Sequence, residues 1–211
     1  MKKIIIENLK SYFKSSYIKL YKLAKEYDYN TFLDKTDNLV YFYTILYRGG
    51  EIENESFFTD YIGHARNYHD DIDGIIVNNK DILYFDDNIF EQLKSSKYNK
   101  DELKEIYLHF IQSGKMSNVM DSKHNSLIKV INYVYNFINS EILFSSIENN
   151  HMKRDLLIPI MLDYSKKMGK NIISFIGGDY NEYGGQNEFV VNDVHKYPKL
   201  SDIYNDANKW L

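Results

Sequence analysis

Arginine is scarce in this chain: of 26 Lys and Arg residues, only Arg48, Arg66 and Arg154 are arginine. Arg48 closes the aromatic and β-branched run of residues 40–47 and is followed by Gly49-Gly50. A guanidinium at a strand end can grip phosphate with two parallel bonds, which an ammonium cannot do. Glycines after it let a backbone approach a flat ligand. An arginine ion-paired at a strand end would give the same local pattern. A second segment, Glu55-Ser56-Phe57-Phe58-Thr59-Asp60, places two hydroxyls around an apolar pair. A third, Gly184-Gly185-Gln186-Asn187-Glu188-Phe189-Val190-Val191, reads as a strand on which Gln186 and Glu188 share one face. A carboxylate on so apolar a strand costs free energy unless it is paired or used. A solvated edge strand is the plain alternative.

A fourth cluster is metal-like: His64, His69, Asp70, Asp71 and Asp73, with His109 and His124 further on. His69-Asp70 has the form of the metal-binding dyad of HD-type phosphohydrolases. The surrounding sequence does not repeat that pattern. Read as a calcium loop, the run from His69 would need a carboxylate where Lys80 stands. The cluster therefore reads as a polar turn between a helix and a strand, and no metal is expected.

Taken in order, the aromatic-Arg-Gly strand end, the hydroxyl-bearing strand leading into a helix and the Gln-x-Glu strand resemble the Arg–Ser–Glu class of ADP-ribosyltransferases. These are the toxin-like enzymes that mono-ADP-ribosylate a target. The resemblance covers about residues 40–85 and 172–195. It implies an α+β fold with a split β-sheet core, and NAD as substrate. It further implies that Arg48 holds an NAD phosphate, with Tyr47 and the Gly49 backbone beside the dinucleotide. Ser56 or Thr59 would contact the nicotinamide ribose. Glu188 would stabilise the cation formed as nicotinamide leaves, and Gln186 would face the acceptor with Tyr180 or Tyr183. Ser56-Phe57-Phe58-Thr59 is a loose form of the family's second motif, which leaves the choice of hydroxyl open. Within the family, Gln at the position of Gln186 goes with acceptors other than arginine. The expected partner is thus a macromolecule, protein or nucleic acid, modified in the cytoplasm of the producing or a target cell. A neutralising partner protein would suit such an effector. NAD hydrolysis, metal-dependent phosphohydrolase chemistry and a non-enzymatic interaction or inhibitor role stand as alternatives.

The elements that must position these residues are legible in outline. Apolar residues at helical spacing from Ile5 to about Tyr27 predict an amphipathic N-terminal helix. A short helix near Thr31–Leu33 and Asn38 completes a helical lobe of about residues 1–39. Residues 40–47, 56–59, 74–77 and 82–85 predict strands, with Asp60 capping a helix through Ala65 and the turn 78–81 joining the last two strands. Residues 101–112, with Gly114 as a stop, and 125–142 predict helices. A further helix is opened or kinked by Pro159 and closed by Gly169. Residues 172–176 and 186–191 predict paired strands, and 199–211 a peripheral terminal helix. Strands at either end of a helical middle favour one α+β domain, 1–211, carrying a helical insertion at about 101–168.

Bulk properties narrow the classes. With 44% hydrophobic and 27% charged residues, the chain has the composition of a soluble globular protein. Its net charge of −4 supplies no global basic field for nucleic acid or anionic membrane. Lacking cysteine, it has no disulfide, thiolate nucleophile or cysteine-ligated zinc. Glu7 and Lys10 interrupt the short apolar start before a signal sequence is complete, and no run reaches the ~20 apolar residues of a membrane span. The 20 tyrosines would suit a binding surface if the protein is not an enzyme.

Overall fold

The computed structural model describes residues 14–36, 43–54, 56–112, 127–147, 150–176 and 187–209. Residues 5–13, where the sequence predicts the start of the N-terminal helix, Asn38, residues 40–42, Glu55, Gly114 and residues 177–186 lie outside them. The chain is mixed α and β and divides into two compact units, Met1–Asn79 with Asp193–Leu211, and Lys80–Asn192.

In the first unit, helices α1 (Lys14–Glu26) and α2 (Tyr29–Thr36) precede strand β1 (Tyr43–Gly49). Strand β2 (Phe57–Thr59), helix α3 (Ile62–Arg66) and strand β3 (Ile72–Asn78) follow. β1 pairs antiparallel with both β2 and β3, placing Tyr47 opposite Thr59 on one side and Gly74 on the other. Asp60 does not cap α3. Its N-cap is Tyr61, which makes no side-chain cap bond, and the Tyr61 amide instead donates to Thr59 Oγ1 at 3.2 Å. The hydroxyl two residues upstream closes the turn, so the carboxylate is not needed there.

The terminal helix, α9 (Leu200–Asn208), is not peripheral. Leu200, Ile203 and Ala207 form a helical stripe buried with Leu20, Ala24, Phe32 and Ile76. Asp73 on β3 pins its first turn: Ser201 N and Ser201 Oγ donate to the carboxylate at 3.0 and 2.6 Å. Tyr29 Oη from α2 donates to the same carboxylate at 2.9 Å, and at its far end Asn208 Nδ2 donates to Ala24 O. Three apolar positions were too short a pattern to reveal this from sequence.

In the second unit, strand β4 (Ile82–Tyr84) runs parallel to β5 (Ile172–Ile176), and β5 pairs antiparallel with β6 (Asn187–Val191). A parallel neighbour requires a crossover. Here the crossover is the helical middle of the chain: α4 (Asp87–Ser95), α5 (Lys100–Gln112), α6 (Leu127–Ile138), α7 (His151–Asp155) and α8 (Ile158–Lys167). Asp86 caps α4 by accepting from Ile89 N at 2.7 Å, and Asn150 caps α7 through Lys153 N. Pro159 occupies the first turn of α8 and opens it rather than kinking it. Gly169, at φ 69°, ends it, with Lys170 N reaching back to Ser165 O. Leu103, Tyr107, Val134, Phe137, Met161 and Leu162 then pack on Ile173, Phe175 and Val190 of the sheet.

Three buried or half-buried tyrosines set a pH limit on this architecture. Burial is the main force holding the phenols of Tyr29, Tyr98 and Tyr107 above their usual pKa of 10.0, and the carboxylates of Asp73 and Asp163 add to it for the first two. Tyr98 donates to Asp163 at 2.8 Å, and Tyr107 donates to Leu156 O. The folded chain binds these protons more tightly than the unfolded chain. Their stabilisation is therefore complete below about pH 10 and lost as pH rises beyond it. The thermal midpoint, followed by circular dichroism, is expected to fall steeply above that pH. A midpoint that stays flat to pH 11 would show the phenols ionising without strain.

Candidate functional site

In the first unit, alternation along β1 sends Tyr47 and Arg48 to opposite faces. Tyr47 is buried among Phe32, Leu33 and Leu200, and its hydroxyl shares a 2.9 Å bond with Thr36 Oγ1. Its ring is core, and its polar end is held by α2, which leaves little of Tyr47 to lie beside a dinucleotide.

Arg48 is half-buried and bound by its own loop. Nε donates to Glu51 O at 2.6 Å and Nη1 donates to Phe57 O at 2.9 Å, so the guanidinium ties the end of β1 to the segment leading into β2. Desolvation lowers its pKa from the usual arginine value, and nearby Glu53 opposes that shift. The two glycines have structural reasons. A Cβ on Gly49 would stand 2.7 Å from Ala65 O and 2.9 Å from His69 Cβ, because α3 and the chain after it lie against this strand end. Gly50 turns at φ 83°, a conformation suited to glycine, and its amide donates to Asp71 O. Ser56 and Thr59 are both buried. Thr59 Oγ1 accepts from the Tyr61 amide at 3.2 Å, which leaves its own proton to donate, so the choice between the two hydroxyls stays open.

In the second unit, the register of β5 and β6 sets Glu188 directly opposite Phe175, on the face that carries Ile173 and Val190 and packs on the helices. There Glu188 meets Arg154 of α7. Nη2 of Arg154 lies 2.8 Å from Glu188 Oε2, and the guanidinium carbon sits 4.5 Å from the centre of the Phe175 ring. The same guanidinium donates from Nε and Nη2 to Asp155 Oδ1, at 3.3 and 3.1 Å. The Arg154 side chain is 1% exposed and that of Glu188 17%. Oε2 is buried and, despite the short distance, accepts no well-aligned hydrogen bond, so the pair is a charge contact. The residual exposure of Glu188 lies on its other atoms.

The structure pairs Glu188 with Arg154, a residue to which the sequence reading gave no role. The rarity of arginine singles out Arg154 as much as Arg48, but only Arg48 is followed by glycines. Arg154 stands among charged residues just before an apolar helix, where an exposed role would be the ordinary assumption. Gln186, Tyr180 and Tyr183 lie outside the described residues.

The polar cluster near α3 behaves as a turn. Asp71 N donates to His69 Nδ1, His64 and Tyr68 stack edge to face, and Asp73 is engaged by Tyr29 and Ser201. Among the described residues no three His, Asp or Glu side chains converge as metal ligands would. His124 lies outside them. Among the described residues no helix is long and apolar enough to cross a membrane.

No family model matches this chain, and neither a curated protein nor a solved structure matches it.

Proposed function

We propose that the protein is a mono-ADP-ribosyltransferase that breaks the glycosidic bond between nicotinamide and ribose in NAD. The observation that carries this reading is Glu188: a carboxylate on an apolar strand, partly accessible and backed by a buried guanidinium. As nicotinamide departs with the bonding electron pair, positive charge develops on the ribose. A carboxylate already fixed in place stabilises that charge in the transition state more than in the ground state. An acceptor nucleophile then attacks the anomeric carbon and releases its proton. Arg48, oriented by the Glu51 and Phe57 carbonyls, would grip phosphate with its remaining donors. Ser56 or Thr59 would meet the ribose, and Gln186 with Tyr180 or Tyr183 would face a non-arginine acceptor on a protein or nucleic acid. With water as acceptor, the same chemistry depletes NAD.

A second reading, a non-enzymatic binding protein, is favoured by one specific observation: Arg48 and Glu188 each have structural work, on backbone carbonyls and on Arg154 respectively. Incubation with labelled NAD, alone and with cell lysate or nucleic acid, separates the two. Nicotinamide release with label on a macromolecule supports transfer, and free ADP-ribose alone supports hydrolysis. Absence of release under every condition supports the binding protein. Arg48→Lys is expected to weaken NAD binding about tenfold or more in calorimetry, since a point charge replaces a two-pronged donor. Unchanged affinity would remove Arg48 from the site.

A further inference from the structure

We propose that Arg154 is a positioning residue for Glu188, acting on NAD cleavage only through that carboxylate; the role rests on the NAD reading above. At 1% exposure Arg154 cannot itself touch a ligand. Its guanidinium is confined on one side by the Phe175 ring and along its edge by Asp155, and it presents Nη2 to Glu188 Oε2. The cross-strand register fixes the remaining freedom: Phe175 and Glu188 are paired residues, so the floor under the guanidinium and the carboxylate it holds belong to one rigid ladder. Oε2 faces inward to Arg154, which leaves Oε1 as the oxygen for the ribose.

Stability alone is a poor account of this arrangement. Replacing a buried ion pair by apolar side chains of similar volume is often neutral or stabilising. A single fixed orientation of Glu188 is something an apolar pair could not supply, and a carboxylate displaced by about 1 Å can lose about 10²-fold in rate. Lysine at the position of Arg154 would keep the charge but lose the guanidinium's place over the Phe175 ring and the simultaneous reach to Asp155 and Glu188.

The test is steady-state nicotinamide release from NAD by the full chain and its Arg154→Lys and Phe175→Leu variants, each also in a Glu188→Gln background. Concentrations are taken as folded protein, from the amplitude of urea unfolding. For Arg154→Lys, kcat is expected to fall about 10²-fold, with KM for NAD nearly unchanged. Phe175→Leu, which keeps an apolar core and serves if the first variant does not fold, should lower kcat severalfold in the same manner. In the Glu188→Gln background neither change should lower kcat further, because the group through which they act is gone. Wild-type kcat per folded molecule in both variants, or fully additive losses in the double variants, overturns the positioning role while leaving the NAD reading intact. No nicotinamide release by the unsubstituted chain overturns the reading and the role together.

Discussion

Glu188→Gln is expected to lower nicotinamide release from NAD by about 10²–10³-fold. The amide has nearly the shape of the carboxylate and can still lie against Arg154 and opposite Phe175, so the change removes charge and little else. If the cation on the ribose is stabilised by a fixed negative charge, the loss falls on kcat, with NAD affinity retained. Unfolding supplies the control. Removing the Glu188 charge from Arg154 should cost stability, because a buried guanidinium that loses a charge partner is penalised. A variant that keeps full activity but unfolds more readily would assign Glu188 to structure and favour the binding-protein reading.

Asp73→Ala is expected to destabilise the first unit by on the order of 3 kcal/mol, since bonds to a charged acceptor contribute about 1.5–3 kcal/mol each and their orphaned donors add a penalty. One carboxylate accepts from Tyr29 Oη, Gly74 N, Ser201 N and Ser201 Oγ, at 2.9, 2.7, 3.0 and 2.6 Å. It thereby joins α2, β3 and α9, which no single local bond does. Urea unfolding should show a lower midpoint with an unchanged slope. Ser201→Ala, which leaves the backbone amide bonded, should cost less than half as much. Equal effects from the two variants, or a loss below about 1 kcal/mol for Asp73→Ala, would show that burial of Leu200 and Ile203 holds α9 without the carboxylate.

The contacts behind the two stability effects, Arg154 on Glu188 and the donors gathered on Asp73, could not be taken from the sequence, although much of the scaffold behind them could. The run of β-branched and aromatic residues ending at Gly49 gave β1, and the apolar stripe from Leu127 to Ile138 gave α6. Gly169 marked the end of α8, and the spacing of residues 172–191 gave a strand pair. These signals are local, because backbone propensity, side-chain period and left-handed termination are settled within a few residues. Helix α4 carries no such signal, because only Phe90 and Leu93 of its residues are fully buried, too few to set a period.

Local signals settle most of the elements and their places: mixed α and β content, a helical middle, an arginine at one strand end and a glutamate on another. Tertiary structure decided the partners. It paired β4 with β5 across more than eighty residues, drew α9 into the core and turned Tyr47 inward onto Thr36. It also brought a buried Arg154 against Glu188, with Phe175 beneath. The physical reason is the same in each case. A period of two or 3.6 residues states which face will be buried but not against what, and the energy of a charge depends on what the packed chain brings beside it.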